Sequence, residues 1–190
     1  MDNSDRLELK RQAFHLFNGL AIATAVYVLK PVISLWILAP LLAALLIMYY
    51  VPNVKPGLKL ANHLLYHFER REDIKAFPFK GAIYYGIGLI FPILLLDVRY
   101  GCAVILIFSV GDCFSTLFGR KYGRKRIGGK SLEGAVAFLL TSWPSASVLV
   151  NPTHALVLAL VGSVVELSDF IDDNITVPAV LSLLALLLQQ

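Results

Sequence analysis

The sequence predicts an all-α membrane protein, a bundle of about seven transmembrane helices that forms a single domain over residues 1–190. Of its 190 residues, 57% are hydrophobic and only 16% are charged, and the mean hydropathy is +0.71. A soluble domain of this length has too little interior to bury so much apolar surface. Seven apolar runs lie along the chain, at 13–29, 32–51, 81–96, 100–118, 134–150, 155–167 and 175–188.

The length of the last two runs leaves two alternatives for the number of spans. A helix needs about 20 apolar residues to cross a hydrocarbon core of ~30 Å. The runs at 155–167 and 175–188 are short by this measure. Six spans with a re-entrant segment are therefore an alternative to seven.

Basic residues orient the bundle, because Lys and Arg in short loops stay on the cytoplasmic side of a membrane. Of the 17 Lys and Arg residues, three precede the first run, six lie between the second and third runs, and six lie between the fourth and fifth. Only Lys30 and Arg99 lie on the opposite face. The pattern predicts a multi-pass integral membrane protein with a cytoplasmic N-terminus. Its net charge of +4 favours anionic lipid headgroups or a nucleotide as partners, and not nucleic acid.

Residues 58–68 predict one amphipathic helix that lies in the membrane interface. Apolar residues recur with helical period from Leu58 to Phe68. His63 and His67 are four residues apart, but this context favours membrane contact over zinc binding.

One carboxylate inside an apolar run indicates where the chemistry lies. Asp112 is the only charged residue in the run at 100–118, and a charge in hydrocarbon costs several kcal/mol unless it faces a partner, an ion or water. Glu166 closes the sixth run at the same predicted face, and further acidic residues follow it. Their hard oxygen atoms suit Mg²⁺ better than zinc. The predicted metal ligands are Asp112, Asp169, Asp172, Asp173 and Asn174.

The loop at 119–134 has the composition of a phosphate-binding segment. Its glycines allow backbone N–H groups to approach a ligand, and its Lys and Arg residues neutralise charge. It is not a Walker A loop, because the position of the first glycine is occupied by Arg124. Glu133 has two interpretations, as a helix cap paired with Ser131 or as a ribose or metal contact. The predicted nucleotide and phosphate contacts are Lys80, Gly119, Arg120, Gly123, Lys125, Gly129, Lys130, Ser131 and Glu133.

Arg11 and His15 are further candidate site residues. Together with Gly19 they recur at a spacing of four, which places them on one helical face at the same end of the bundle. The alternative is that both side chains only reach towards lipid headgroups.

The other candidates also have structural alternatives. Basic residues in an inner loop follow from topology alone. Asp172 and Asp173 suit a solvated turn before Pro178, and Asp112 and Glu166 are also compatible with ion pairs between helices.

Five short motifs in order along the chain resemble the polyprenol kinase family, the CTP-dependent dolichol kinases and plant phytol kinases. They are ELKRQAFH at 8–15, FKGAIYY at 79–85, GD at 111–112 with FGRKYG at 118–123, GKSLEG at 129–134, and Glu166 with IDDNITVP at 171–178. The motifs are specific jointly, and the last stretch looks most like the phytol kinase branch.

The resemblance implies transfer of the γ-phosphoryl group of CTP to a long-chain isoprenoid alcohol (dolichol or another polyprenol, phytol or geranylgeraniol) at the cytoplasmic membrane face. It implies Mg²⁺ as cofactor and CTP as phosphoryl donor, and the choice of CTP depends on the resemblance alone. Asp112, Glu166 and Lys130 are then the catalytic residues. Either Asp112 or Glu166 can be the base, with the other helping to hold the metal. The oligomeric state stays open, a homodimer being one alternative.

Three other functions fit parts of the pattern. A membrane phosphatidate-type cytidylyltransferase also needs Mg²⁺ and a basic inner face, but it makes a CDP-lipid and pyrophosphate. A CTP-dependent diacylglycerol kinase differs only in its acceptor. A small ion transporter would use Asp112 and Glu166 as an ion path, but the sequence shows no inverted repeat.

Overall fold

The protein is described by a computed structural model that covers residues 3–54, 59, 77–168 and 172–190. Within these ranges the chain forms seven α-helices, a 3-10 helix at Ser34–Ile37 and a two-stranded hairpin. The helices are α1 Asn3–Ile33, α2 Leu38–Val54, α3 Lys80–Leu95, α4 Val98–Tyr122, α5 Leu132–Ser147, α6 Pro152–Glu166 and α7 Asp173–Leu188. Each predicted apolar run overlaps one of these helices, so the all-α class is confirmed.

Two helical segments in the described part of the chain are long and apolar enough to cross a membrane. One is Asp5–Pro52, which combines α1, the 3-10 helix and α2, and the other is α4. Helices α3, α6 and α7 are apolar but shorter. The count of seven spans and the cytoplasmic N-terminus remain predictions. The predicted interfacial helix at 58–68 lies outside the described residues, except for Lys59.

Helix α4 is the centre of the bundle. It packs most extensively against α5 and α1, and it also contacts α3, α6 and α7. A side chain at Gly111 would lie 2.6 Å from the ring of Phe138, which is fully buried. The close approach of α4 and α5 therefore depends on Gly111. Asp112 is the next residue on α4, so it lies close to this contact.

A short hairpin follows α4. Strand β1, Arg126–Ile127, pairs antiparallel with strand β2, Lys130–Ser131. Gly128 in the turn has a φ of 59°, a conformation that side chains disfavour. The sequence predicts only a loop here, because strands of two residues are too short to show an alternating pattern. The turn sends the chain back towards the end of α4, and Lys130 returns with it.

Gly88 on α3 lies directly against the first turn of α7. A Cβ atom there would lie 2.0 Å from the backbone oxygen of Asn174. The residues that open α7 are therefore positioned by contact with a glycine on α3.

We expect Gly88→Ala to destabilise the protein by about 1–3 kcal/mol, because the new methyl group meets backbone that cannot rotate away. The measurement is the thermal unfolding midpoint in detergent, with a decrease of roughly 2–4 °C per kcal/mol. Gly162→Ala is the matched control, because its Cβ would instead meet the Phe138 side chain, at 3.0 Å. An equal or smaller decrease for Gly88→Ala would contradict this packing.

Candidate active site

A cavity of about 770 Å³ lies where α1, α3 and α7 begin and α2, α4 and α6 end. Its volume is in the upper part of the range of roughly 300–1,000 Å³ that is usual for ligand pockets. Most of the charged residues singled out in the sequence converge on it. The charged residues that line it are Asp5, Glu8, Arg11, Lys80, Asp112, Arg120, Arg126, Lys130, Glu166, Asp172 and Asp173.

Three carboxylates meet in the depth of the cavity. Asp112 on α4, Glu166 at the end of α6 and Asp173 at the start of α7 each offer an oxygen, and these oxygens all lie within 4.8 Å of one another. Glu166 is almost completely buried, with 2% of its surface exposed. These residues are 54 and 7 positions apart in sequence, so the antiparallel packing of the helices is what brings them together.

Lys130 on β2 joins two of these carboxylates. Its Nζ donates to Glu166 Oε1 at 2.8 Å and also to Asp173 Oδ2. Partial burial of the ammonium lowers the pKa of Lys130, but the charges of Asp173, Glu166 and Asp112 outweigh this effect and raise the pKa above its ordinary value. Lys130 therefore stays charged at neutral pH.

Ser115 on α4 completes the surroundings of Glu166. Its Oγ donates to Glu166 Oε1 at 2.6 Å. Glu166 Oε2 is buried, and within the described residues it has no hydrogen-bond partner. Because a buried carboxylate oxygen without a partner is costly, this atom calls for a further cation or donor.

The charge balance points to the same requirement. With all three carboxylates ionised, the three carboxylates and one ammonium would carry a formal charge of −2. Converging carboxylate oxygens with an excess of negative charge are the ligands that Mg²⁺ prefers. The residues present therefore fit a divalent metal, with Glu166 and Asp173 as the natural ligands and Asp112 beside them.

Asp112 has a different environment from Glu166. His15 Nε2 lies 3.7 Å from Asp112 Oδ2, which is too far for a hydrogen bond. The His15 ring packs on Tyr85, with ring centroids 4.2 Å apart, and meets the Phe108 ring edge-on. Asp112 therefore lines the cavity next to His15, whose ring is held by contacts with Tyr85 and Phe108.

Arg11 and Arg120 lie at the rim of the cavity, where both pair with Glu8. Glu8 is buried, and its Oε2 lies 3.1 Å from Arg11 Nη1 and 3.4 Å from Arg120 Nη1. Arg120 Nη2 also lies 3.0 Å from Asp5 Oδ1. A phosphate bound at Arg120 would therefore compete with carboxylates of α1. Asp5 and Glu8 are not among the site residues predicted from the sequence, although the spacing of three between Glu8 and Arg11 is a detectable signal.

The predicted phosphate loop divides into two groups. Gly119, Arg120, Gly129, Lys130 and Ser131 line the cavity, as does Lys80 on α3. In the described chain, the cavity lining does not include Gly123, Lys125 or Glu133.

The second group has local structural contacts. A Cβ at Gly123 would lie 2.2 Å from the backbone oxygen of Gly119, which explains a glycine there. The Lys125 N–H donates to the Glu133 carboxylate at 3.3 Å. Hydrogen bonds from backbone N–H groups, its own first, lower the pKa of Glu133 below its ordinary value. This geometry favours the capping interpretation of Glu133, while Ser131 caps α5 by accepting from the Gly134 N–H at 3.0 Å.

The remaining predicted metal ligands are less directly placed. Asp172 and Asn174 line the cavity, but Asp172 Oδ1 caps α7 and accepts from the Asn174 amide at 2.8 Å. Asp169 lies outside the described residues. Sequence reasoning assigned no role to Ser115, Tyr85 or Arg126, which the structure adds to the cavity wall.

Fold and site together define a helical protein with long apolar helices and a carboxylate and lysine cluster in a cavity at one end of the bundle. No family model and no solved structure matches the chain. It is 32% identical over 192 residues to an uncharacterized protein of Methanocaldococcus jannaschii, in an alignment covering 92% of this chain and 91% of that protein.

Two named kinases are also related. The chain is 26% identical over 162 residues to a probable chloroplastic phytol kinase 2 of Glycine max, with 73% of this chain aligned. It is 30% identical over 110 residues to dolichol kinase of Saccharomyces cerevisiae, with 51% of this chain aligned. The alignments span 56% and 21% of those two proteins. The chain is therefore a distant homologue of a phytol kinase and a dolichol kinase, and the resemblance seen in the motifs is confirmed.

We expect Lys130→Met to destabilise the protein by about 3 kcal/mol, because it leaves the buried Glu166 carboxylate without its ammonium partner. Adding Glu166→Gln should recover more than half of this loss, since the stranded charge is then removed. Thermal unfolding of the two single variants and the double variant gives the coupling free energy between Lys130 and Glu166. Additive losses in the double variant would show that the pair is not coupled.

Proposed function

We propose that the protein transfers the γ-phosphoryl group of CTP to the hydroxyl of a long-chain isoprenoid alcohol at the cytoplasmic face of a membrane. The observation that carries the proposal is the cluster of Asp112, Glu166, Asp173 and Lys130 in one cavity at the ends of apolar helices. The names of two relatives, a phytol kinase and a dolichol kinase, support the acceptor class. Dolichol or another polyprenol, phytol and geranylgeraniol are the candidate acceptors.

The reaction forms a bond between the alcohol oxygen and the γ-phosphorus and breaks the bond between that phosphorus and the β–γ bridging oxygen. The products are the isoprenoid monophosphate and CDP, and the alcohol proton leaves to a base. The protein must therefore neutralise the triphosphate, align the two oxygens and accept one proton.

Glu166 and Asp173 would hold Mg²⁺, which neutralises and orients the triphosphate when it is bound. Lys130 already contacts both carboxylates, so its ammonium lies beside the same oxygens. From this position Lys130 can move to a phosphate oxygen without leaving the cavity. Lys80 and Arg120 line the same cavity and supply further positive charge for the phosphates.

Asp112 would accept the proton of the alcohol. Glu166 Oε1 already accepts hydrogen bonds from Ser115 and Lys130, so it is less accessible to the hydroxyl of the alcohol. Asp112 lies within 4.8 Å of both other carboxylates yet faces His15 across a gap of 3.7 Å. A hydroxyl bound beside this gap is within reach of both side chains, next to the phosphate-binding half of the site.

We expect the protein in detergent, with Mg²⁺ and γ-labelled CTP, to transfer label to phytol, geranylgeraniol or a longer polyprenol. Asp112→Asn should lower this transfer by at least about 100-fold, because the group that accepts the proton is lost. The measurement is label in the lipid phase, compared with γ-labelled ATP and with diacylglycerol as acceptor.

Asp97→Asn is the matched control. Asp97 caps the opposite end of the same helix by accepting from the Tyr100 N–H, and asparagine also serves as a cap. It should therefore keep near wild-type transfer. Near wild-type transfer by Asp112→Asn would refute its role, and release of pyrophosphate with a CDP-lipid would identify a cytidylyltransferase instead.

A second prediction concerns the metal. Glu166→Gln should raise the Mg²⁺ concentration for half-maximal transfer by at least roughly tenfold, because an anionic ligand becomes a neutral amide. Glu133→Gln changes a carboxylate whose contacts lie in the hairpin loop, and it should leave the Mg²⁺ dependence unaltered. Identical Mg²⁺ titrations for wild type and Glu166→Gln would exclude Glu166 as a ligand.

A further inference from the structure

The wall of the cavity has two chemically different parts. One part carries the carboxylates and Lys130. The other part consists of apolar side chains contributed by the first three helices and the residue that precedes the third, namely Phe14 on α1, Met48 on α2, Phe79 before α3 and Ala82 on α3. We call these four residues the apolar wall.

Three residues of the apolar wall, Met48, Phe79 and Ala82, belong to a hydrophobic cluster separate from the main core of the protein. Phe79 and Ile83 are buried at its centre, and Met48 and Ala82 pack against them together with other residues of α2 and α3. This cluster fixes α2 against α3 at the level of the cavity. Its members Met48, Phe79 and Ala82 also line the cavity, so this part of the wall is apolar.

Phe79 takes an unusual backbone conformation to reach this position. It has a φ of 61°, in the left-handed region that residues other than glycine rarely adopt, and it is nevertheless only 8% exposed. Hydrogen bonds from the Lys80 N–H to Phe77 O and from the Ile83 N–H to Phe79 O hold the turn. Backbone strain of this kind is typical of functional sites.

The apolar wall also reaches the outside of the bundle. Phe14 is 43% exposed, and the helical segment Asp5–Pro52, which carries Phe14 and Met48, is an exposed apolar segment long enough to cross a membrane. A molecule lying on the wall would therefore pass from the cavity into the region where we predict lipid.

The inner end of the wall is next to the proposed reaction centre. His15 follows Phe14 in the chain and faces Asp112 at 3.7 Å, while Tyr85, one turn beyond Ala82, supports the His15 ring. An alcohol with its hydroxyl at Asp112 and His15 would thus place its first carbons against the wall.

We propose that the hydrocarbon chain of the acceptor alcohol leaves the cavity between α1, α2 and α3 along the apolar wall, and that these side chains select the chain that is accepted. This inference builds on the proposed function. It adds a route for the hydrocarbon chain and the residues that contact it. A branched isoprenoid chain, bulkier than a straight acyl chain, depends on the width left by Met48 and Ala82.

The test is the ratio of kcat/KM for geranylgeraniol to kcat/KM for the short, water-soluble alcohol prenol. Met48→Trp and Ala82→Trp each narrow the route, so the ratio should decrease by at least tenfold. Leu46→Trp is the matched control on the same helix as Met48, since Leu46 is 58% exposed and does not line the cavity in the described structure. Its ratio should stay within twofold of the wild-type value.

A binding measurement accompanies the kinetics. A geranylgeraniol analogue with a diazirine on its chain should, on irradiation, label peptides that contain Met48 or Phe79, and unlabelled geranylgeraniol should prevent this labelling. Labelling confined to other helices, or an unchanged selectivity ratio in both tryptophan variants, would overturn the route. If wild type phosphorylates no alcohol, the proposed function fails, and the peptides labelled by the analogue still decide whether a chain lies on the wall.

Discussion

The buried carboxylate of Glu166 is the constraint on which the rest of the site depends. A charge with 2% exposure requires partners, because an unpaired buried carboxylate costs several kcal/mol. These partners come from separate elements, Ser115 from α4 and Lys130 from the hairpin. The same ammonium reaches Asp173 at the start of α7. One buried charge therefore fixes the relative positions of α4, α6, α7 and the hairpin, and it explains why the loop after α4 turns back over the cavity.

The helix dipoles add to this constraint. Glu166 is the last residue of α6, where the helix terminus is partially negative and disfavours a carboxylate. Asp173 opens α7, where the partially positive terminus favours one. The two carboxylates thus lie at helix ends of opposite partial charge, and Lys130 forms an ion pair with each of them. Glu166 has the greater need for positive charge, because its second oxygen lacks a partner among the described residues. A metal bound here would give this oxygen a partner.

The most informative feature of the sequence is a charged residue inside an apolar run. Asp112 in an apolar run, with the alternation of helices, is enough to predict that Glu166, Asp173 and Lys130 lie at the same end of the bundle. It could not predict Ser115 or Tyr85, because a serine or tyrosine in an apolar helix is common and has no distinctive spacing. The hairpin was missed for a related reason, since two-residue strands leave no period. The contacts of Glu133 and Gly123 depend on the turn that the hairpin makes, so composition alone placed Gly123 in a phosphate-binding loop and left Glu133 with two interpretations.

The proposed reaction joins two substrates with opposite solubilities, and the cavity wall has two chemically different parts that suit them. The carboxylates and Lys130 lie where six helices begin or end, so in the predicted topology a nucleotide would reach them from water without crossing hydrocarbon. The apolar wall starts within the same cavity and ends on an exposed helical surface. Only the hydroxyl has to reach the boundary between the two parts, where Asp112 and His15 face each other. In the proposed reaction, the depth of Asp112 in α4, about three turns from the helix end at Tyr122, would set the position of the reaction centre, and neither substrate would leave its own solvent.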